Sequence, residues 1–251
     1  MLQTLLSGLV WLSFLVLLLT SFVAALPVFA LTAWWDRERR ALHALVSALT
    51  SAWLWAVPLW RLTITHRERL PAGPAILVAN HQSMLDILVC LGLRRRFRFV
   101  AKAELFRVPL LGQIMTMIGH LPIDRGHTAS ARRLMPACRA RLAQGVSVLF
   151  FPEGTYGPGG PLLPFRRGAF QLAVDTGVPL VPIVLRGTRD ALPGDALRIR
   201  PGHRLSVTIL PPITDVGADA HALARRVRGL LEAALAAADP GEDTSKNNGL
   251  R

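Results

Sequence analysis

The sequence predicts an α/β protein in which a mostly parallel central sheet is covered by helices on both faces. An N-terminal hydrophobic two-helix segment that associates with a membrane precedes this domain. Three observations lead to the prediction. Short apolar runs alternate with longer helical runs after residue 61. The first 35 residues carry no charged side chain. A second uncharged run, which contains three tryptophans, follows a short charged linker.

The first apolar segment covers residues 5–31 and predicts a membrane anchor. A hydrocarbon layer of about 30 Å is crossed by roughly 20 helical residues, and this run exceeds that length. A secretory signal peptide would have a basic start and a shorter apolar core. Because no Lys or Arg precedes Arg37, the sequence favours membrane anchoring over secretion.

The second apolar segment, residues 41–60, contains Trp53, Trp55 and Trp60 and follows the linker at residues 36–40. Tryptophan is enriched at membrane–water interfaces. The segment could span, lie in the headgroup plane, or form the second arm of a hairpin in one leaflet. The arginines of the linker resist translocation, which favours an interfacial or re-entrant arm. We therefore expect the domain that follows on the cytoplasmic face of the inner (plasma) membrane.

The remaining chain alternates between strand and helix patterns, which predicts parallel strands joined by helical crossovers. The predicted strands cover residues 62–65, 75–79, 97–101, 120–123, 146–151, 180–185 and 205–210. The predicted helices cover residues 84–93, 108–118, 129–143, 168–176 and 221–238. We expect three regions: a membrane-associating segment at 1–60, an α/β domain at 61–238, and a disordered polar tail at 239–251.

The chain is strongly basic, with 29 Lys and Arg against 16 Asp and Glu, a net charge of +13. Nucleic acid is not expected as a partner. No binding motif accompanies the arginines, and the aromatic residues cluster in the N-terminal segments instead of alternating with them. An anionic membrane surface, a phosphorylated substrate or an acidic carrier protein fits the charge better.

Neither a metal nor a bound cofactor is expected. Cys90 and Cys138 stand alone in apolar or helical contexts, without metal-ligand spacing, and indicate reduced, buried thiols in a cytosolic domain. The glycines do not form a nucleotide-binding loop.

His81 and Asp86 stand where an apolar strand passes into an apolar helix. Residues five apart on a continuous helix point in different directions, so these side chains can meet only if His81 precedes the helix. A histidine held by a carboxylate is a suitable general base. In the alternative interpretation, Ser83 and Asp86 form a capping box and His81 is a loop residue.

Further polar residues follow other predicted strands. Lys102 follows the third, Asp124 and Arg125 follow the fourth, and residues 152–155 follow the fifth. Because ligands of parallel sheets bind beyond the carboxyl ends of the strands, this distribution favours a catalytic role for His81.

Four ordered blocks, within residues 80–86, 119–125, 151–155 and 181–184, resemble the glycerophospholipid acyltransferase family, and the match covers roughly residues 62–210. The resemblance implies transfer of a fatty acyl group to the free hydroxyl of a lysophospholipid. The expected acceptor is 1-acyl-sn-glycerol 3-phosphate, which would give phosphatidic acid. The donor would be an acyl carrier protein or coenzyme A thioester, consumed as a substrate.

Roles for the polar residues follow from this assignment. His81 is the expected general base, oriented by Asp86. The expected substrate-binding residues are Lys102 at the oxyanion, Arg125 at the acceptor phosphate, Glu153 as an acceptor for a glycerol hydroxyl, Gly154, which permits close backbone approach, and Thr155.

The third block departs from the family pattern after Thr155. Family members commonly continue with Arg and Ser, whereas this chain has Tyr156 and Gly157. Arg166 and Arg167 are candidates to replace the missing charge. Three alternatives remain open: acylation of another lysolipid such as lyso-ornithine lipid, thioester hydrolysis, and a non-catalytic basic membrane adaptor.

Overall fold

The seven predicted strands form one sheet in the computed structural model, which describes residues 2–124, 128–157, 160–194 and 197–237. The strands are β1 (Trp60–Thr65), β2 (Ile76–Ala79), β3 (Phe97–Lys102), β4 (Leu121–Ile123), β5 (Ser147–Phe150), β6 (Leu180–Arg186) and β7 (His203–Ile209). The helices are α1 (Leu2–Thr32), α2 (Arg40–Ala56), α3 (Leu85–Leu91), α4 (Leu111–Ile118), α5 (Thr128–Ala143), α6 (Gly168–Thr176), α7 (Thr188–Ala191) and α8 (Ala220–Ala236).

The strand order is β1-β7-β6-β2-β5-β3-β4. The paired strands run parallel except β6 and β7, which are antiparallel. The prediction of a mostly parallel sheet is therefore confirmed. Strand β2 lies in the middle, between β5 and β6, so the loop that follows it emerges at the centre of the sheet's carboxyl edge.

Side chains that alternate in direction along each strand form an apolar core on each face of the sheet. In β2, Ile76 and Val78 pack with α5, α6 and α8, whereas Leu77 and Ala79 pack with α1 to α4. Successive strand residues point to opposite faces, so a strand buried on both sides must be apolar throughout. Full burial of one Leu or Ile side chain stabilises the fold by about 1.5–3 kcal/mol.

Some elements differ from the sequence prediction. Helix α3 begins at Leu85, one residue later than predicted, and α7 was not predicted at all. Helix α7 has only four residues, too few for a periodic pattern. The predicted helix end at Ala238 and the polar tail at 239–251 lie outside the described residues.

Helix α1 lies along the domain and is attached to it near its start. Near its start, Trp11 Nε1 donates a hydrogen bond to the Leu197 carbonyl (2.7 Å), and the Ile199 N–H donates to Ser7 Oγ (3.0 Å). Its opposite face is an exposed apolar stripe, formed by Leu5, Leu9, Leu12, Val16, Leu19, Val23 and Leu26. Among the residues that the structure describes, α1 is the one helix whose length and composition suit a membrane crossing.

A buried arginine ties the linker between α1 and α2 to strand β3. Arg98 is only 1% exposed, and it donates to the carbonyls of Phe97 (3.0 Å) and Glu38. The Glu38 carboxylate pairs with Arg40 and Arg96, each at 2.7 Å. Burial lowers the pKa of Arg98 to about 10, so the guanidinium stays charged at neutral pH.

Two buried histidines lie near this arginine. His43 of α2 meets the Phe97 ring edge-on, and His120 Nδ1 accepts the Phe99 N–H (3.0 Å). Burial, reinforced by the charge of Arg98, lowers the pKa of His43 to about 3 and that of His120 well below its ordinary value. Both rings are therefore neutral in the folded protein at physiological pH.

We predict that acid weakens the fold through these histidines. Their pKa values are lower in the folded than in the unfolded chain, so below about pH 6.5 the unfolded chain binds more protons and the free energy of unfolding falls as pH falls. Each histidine contributes up to about 1.4 kcal/mol per pH unit. Chemical denaturation in detergent between pH 7 and pH 4 measures this slope.

His43→Leu tests the contribution of His43, because it removes the titrating ring. The substitution also removes Nε2, a buried nitrogen without a hydrogen-bond partner among the described residues. We expect the acid slope to become shallower, by up to about 1.4 kcal/mol per pH unit. A variant with the wild-type slope would show that His43 does not carry the effect.

Candidate active site

His81 lies in the loop between β2 and α3, before the helix begins. Its Nδ1 lies 2.8 Å from Oδ2 of Asp86, which sits in the first turn of α3 and points back toward the loop. The predicted contact between the two side chains is therefore present. Both are buried, with exposed fractions of 5% and 0%.

A single oxygen of Asp86 organises the whole loop. Oδ2 accepts hydrogen bonds from the Gln82 N–H (2.6 Å) and the Ser83 N–H (2.9 Å) as well as contacting His81. The bond from Ser83 is one of the two contacts of a capping box, whereas the Asp86 N–H donates to the Ser83 carbonyl and not to its hydroxyl. Helix capping and histidine orientation are thus two functions of one carboxylate, and the two interpretations of the sequence are compatible.

Ser83 is held in a structural position. Its Oγ donates to the Leu192 carbonyl (2.6 Å) and accepts the Leu85 N–H (3.2 Å). The hydroxyl is fully buried. These contacts connect the start of α3 to the segment after α7, and they occupy the Ser83 hydroxyl.

The third sequence block encloses the histidine. The His81 ring stacks on Phe151 with 4.0 Å between centroids, and the Tyr156 ring approaches at 4.6 Å. The Gly157 N–H donates to the His81 carbonyl (3.2 Å). The imidazole is therefore fixed by packing, by backbone hydrogen bonds and by Asp86 together.

Glu153 anchors the backbone of the loop between β2 and α3. Its Oε1 accepts the His81 N–H (2.8 Å) and its Oε2 accepts the Leu163 N–H (2.9 Å). Burial raises the pKa of Glu153, and the two backbone hydrogen bonds partly offset that shift. Its expected contact with a glycerol hydroxyl stays a prediction.

The other predicted site residues occupy varied positions. Gly154 has φ +75°, and a Cβ there would collide with the Arg166 side chain. Thr155 is exposed. Lys102, at the end of β3, is 48% exposed and pairs with Glu104 (3.2 Å). Arg125 lies outside the described residues. None of these predicted roles is tested by the contacts that the structure shows.

Sequence reasoning gave no role to Asn80, which closes the sheet beside the site. Its side chain donates to the Leu185 carbonyl (2.9 Å) and accepts the Leu185 N–H (2.8 Å), thereby joining the ends of β2 and β6. An amide directly after a buried strand, next to His81, is the signal that could have identified it.

An apolar cavity opens between the N-terminal helices and the domain. Its volume is about 130 Å³. Met84, Leu85 and Tyr156 line it near the catalytic loop, and Trp11 and Phe14 of α1 line it on the other side. Because α1 forms one wall, local sequence patterns could not predict this cavity. Among the described residues, no group of three His, Cys, Asp or Glu side chains could hold a metal ion.

Comparison with known proteins identifies the family. An acyltransferase family model matches residues 61–186. A 1-acyl-sn-glycerol-3-phosphate acyltransferase of Chlamydomonas reinhardtii is 39% identical over 206 residues, which cover 76% of this chain and 61% of that protein. A chloroplastic 1-acyl-sn-glycerol-3-phosphate acyltransferase of Brassica napus is 37% identical over 73% of this chain and 54% of its own length.

The human 1-acyl-sn-glycerol-3-phosphate acyltransferase alpha is 40% identical over 63% of this chain and 57% of its own length. The chain therefore spans less than two thirds of the length of these curated relatives. A crystal structure of the 1-acyl-sn-glycerophosphate (LPA) acyltransferase PlsC from Thermotoga maritima shares the fold, with a TM-score of 0.67 at 24% identity. That likeness covers 88% of this chain and 94% of the other.

We predict that Glu153→Gln destabilises the protein. Glutamine offers one oxygen in place of two, so the His81 or the Leu163 N–H loses its acceptor. The cost of one buried unsatisfied donor is about 1–3 kcal/mol. Glu104→Gln is the matched control, because Glu104 is exposed and should change stability by no more than about 0.5 kcal/mol. Denaturant unfolding of both variants measures the difference, and equal stability would contradict the anchoring role.

Proposed function

Because the chain belongs to the acyltransferase family, we propose that it transfers a fatty acyl group from an acyl thioester to the free hydroxyl of a lysophospholipid. The favoured acceptor is 1-acyl-sn-glycerol 3-phosphate and the product is phosphatidic acid. One observation carries the proposal: a histidine oriented by a buried carboxylate lies beside an apolar cavity. The names of the relatives support the acceptor.

His81 would act as the general base. The Asp86 carboxylate accepts from Nδ1, which leaves the lone pair of Nε2 to take a proton. As the acceptor hydroxyl attacks the thioester carbonyl, its proton moves to Nε2 and a C–O bond forms. The tetrahedral intermediate then collapses, the C–S bond breaks, and the departing thiolate takes the proton back from the imidazolium. Asp86 stabilises that imidazolium.

The acceptor itself serves as the nucleophile. Ser83 is the hydroxyl nearest His81 in sequence, but its Oγ is committed to Leu192 and Leu85. Direct attack by the lysolipid hydroxyl therefore agrees with the geometry better than a covalent acyl-serine.

The apolar cavity would hold a fatty acyl chain. Its walls combine Phe14 and Leu18 of α1, Val46 of α2 and Ile114 of α4, and its inner end reaches the residues around Met84, beside the catalytic loop. An acyl chain placed there would bring its thioester carbonyl toward His81. Methylene burial at about 0.8 kcal/mol per group would stabilise the bound chain.

The tethering of α1 indicates how the protein would meet a membrane. The helix is about 46 Å long. Hydrogen bonds attach the start of α1 to the α/β domain. Beyond its end, buried Arg98 of the same domain donates to the Glu38 carbonyl of the linker. A spanning helix would place its ends on opposite sides of the bilayer. We therefore propose that α1 lies in the membrane interface, with its exposed stripe in one leaflet and the catalytic domain on the cytoplasmic face of the inner membrane.

The basic character of the domain fits two further proposed partners. Anionic lipid headgroups attract arginine-rich surfaces near a membrane. The donor would be carried by acyl carrier protein or coenzyme A, both of which are acidic molecules that such a surface attracts.

His81→Ala tests the activity. We expect wild-type protein in vesicles to transfer labelled acyl groups to 1-acyl-sn-glycerol 3-phosphate, and the variant to lose at least about 100-fold in kcat because proton transfer loses its base. Circular dichroism and vesicle sedimentation should be unchanged, since the loop remains anchored through Glu153. A variant that retains wild-type kcat would refute the role of His81.

Nitroxide labels at Leu5→Cys, Val16→Cys and Leu26→Cys test the position of α1, because all three native side chains are exposed. In vesicles, an interfacial helix gives the three labels similar depths, within the 5–10 Å boundary layer. A spanning helix separates the first and last labels by about 30 Å along the bilayer normal. A label at Leu230→Cys, on α8, should stay in water and provides the control.

A further inference from the structure

We propose that Arg189, supported by Arg166, anchors the acceptor phosphate. This inference rests on the proposed function and names the residues that distinguish a phosphorylated acceptor from an uncharged one. Arg189 lies on α7, outside the four sequence blocks, and the sequence pattern assigned it no role.

The chemistry of the acceptor sets where such a cation must lie. In 1-acyl-sn-glycerol 3-phosphate, only the C2–C3–O unit separates the attacking oxygen from phosphorus. A cation that binds the phosphate must therefore lie close to the base that deprotonates the hydroxyl. The turn next to His81, residues 152–157, contains no cationic side chain of its own. The charge has to come from neighbouring elements.

Backbone contacts bring Arg189 to this turn. Its Nη1 donates to the Gly157 carbonyl, and the Gly157 N–H donates in turn to the His81 carbonyl. Two hydrogen bonds thus connect the guanidinium to the main chain of the catalytic base. A guanidinium has five N–H donors, so one bond to a carbonyl leaves Arg189 chemically able to bind a phosphate as well.

The start of α7 is fixed in place. Helix α7 follows directly on β6, whose carboxyl end is joined to that of β2 by Asn80. The Thr188 side chain is fully buried and donates to Gln82 Oε1 (3.5 Å), next to His81. Gly187 has φ +76°, and a Cβ there would collide with the Arg204 carbonyl. The position of Arg189 therefore depends on rigid contacts and not on a flexible side chain alone.

Arg166 contacts the same turn at its first half. Its side chain lies against Gly154, and its N–H donates to the Pro152 carbonyl (2.8 Å). Glycine suits position 154, because φ is positive there and a Cβ would displace the Arg166 side chain. Two arginines thus contact the segment that packs on His81.

Arginine suits this task better than lysine. The planar guanidinium binds phosphate oxygens with two parallel N–H donors, whereas an ammonium acts as a point charge. Lys102, the lysine predicted for the site, is paired with Glu104 at the end of β3. The described part of the site therefore offers Arg189 and Arg166 as phosphate ligands.

Steady-state kinetics with two acceptors test the proposal: 1-acyl-sn-glycerol 3-phosphate, and 1-acyl-sn-glycerol, which lacks the phosphate. For Arg189→Gln we expect the KM for the phosphorylated acceptor to rise between about 10- and 100-fold, as expected for loss of a charged hydrogen bond. The kcat/KM for the uncharged acceptor should stay within about twofold of wild type. Arg189→Lys should give an intermediate KM, because lysine keeps the positive charge but lacks the two parallel N–H donors of the guanidinium.

Arg226→Gln is the matched control. Arg226 of α8 is exposed and donates to the Asp215 carbonyl (3.3 Å), so both acceptors should behave as with wild type. Arg166→Gln should raise the KM for the phosphorylated acceptor alone, by a smaller factor than Arg189→Gln. A thermal unfolding scan shows whether each variant is folded. Should Arg189→Gln fail to fold, Arg189→Lys carries the test, with the same selective rise in KM expected.

Three results would overturn the inference. An unchanged KM in Arg189→Gln and Arg189→Lys excludes phosphate binding by this residue. An equal loss on both acceptors shows that Arg189 only supports the loop around Gly157. If the wild-type protein transfers no acyl group to 1-acyl-sn-glycerol 3-phosphate, the proposed function is refuted. The inference then fails with it, before any variant is compared.

Discussion

The site depends on one buried oxygen, Oδ2 of Asp86, which contacts the His81 ring and accepts the backbone N–H groups of Gln82 and Ser83. The same atom thus fixes the shape of the loop, the start of α3 and the orientation of the imidazole. Burial of a charged carboxylate costs free energy unless hydrogen bonds compensate for the lost water. The orientation of the His81 ring and the local fold therefore depend on the same hydrogen bonds. Any change that moves α3 also moves the imidazole.

A second constraint comes from the N-terminal helices, which pack into the core and line the cavity near the candidate site. Helix α1 forms a wall of the apolar cavity, and its apolar contacts continue into the core around α3 and α4. Its opposite face stays apolar and exposed. The helix therefore separates a surface that suits lipid from a cavity that suits an acyl chain, and Arg98 holds it there through the linker. In the proposed function, this arrangement would let a membrane lipid approach His81 through an apolar environment.

Much of this organisation was predictable from the sequence. The seven strands were recognised because each is a short apolar run between polar or turn residues, and the meeting of His81 with Asp86 followed from placing the histidine before the helix. The contacts that could not be predicted join distant parts of the chain. Glu153 holds the His81 backbone from 72 residues away, and α7 is too short to leave a periodic signal. Neither the cavity wall from α1 nor the approach of Arg189 to Gly157 has a local pattern in the sequence.

The central claim is that Asp86 orients His81 for proton transfer, and the kcat of Asp86→Asn with 1-acyl-sn-glycerol 3-phosphate tests it most directly. Asparagine is nearly isosteric, but it carries no charge to stabilise the imidazolium and favours the wrong ring tautomer. The expected result is a folded protein whose kcat falls by about 10³- to 10⁴-fold, the size of effect that such a carboxylate has in other histidine-based sites. A folded variant whose kcat stays within about tenfold of wild type would contradict the account.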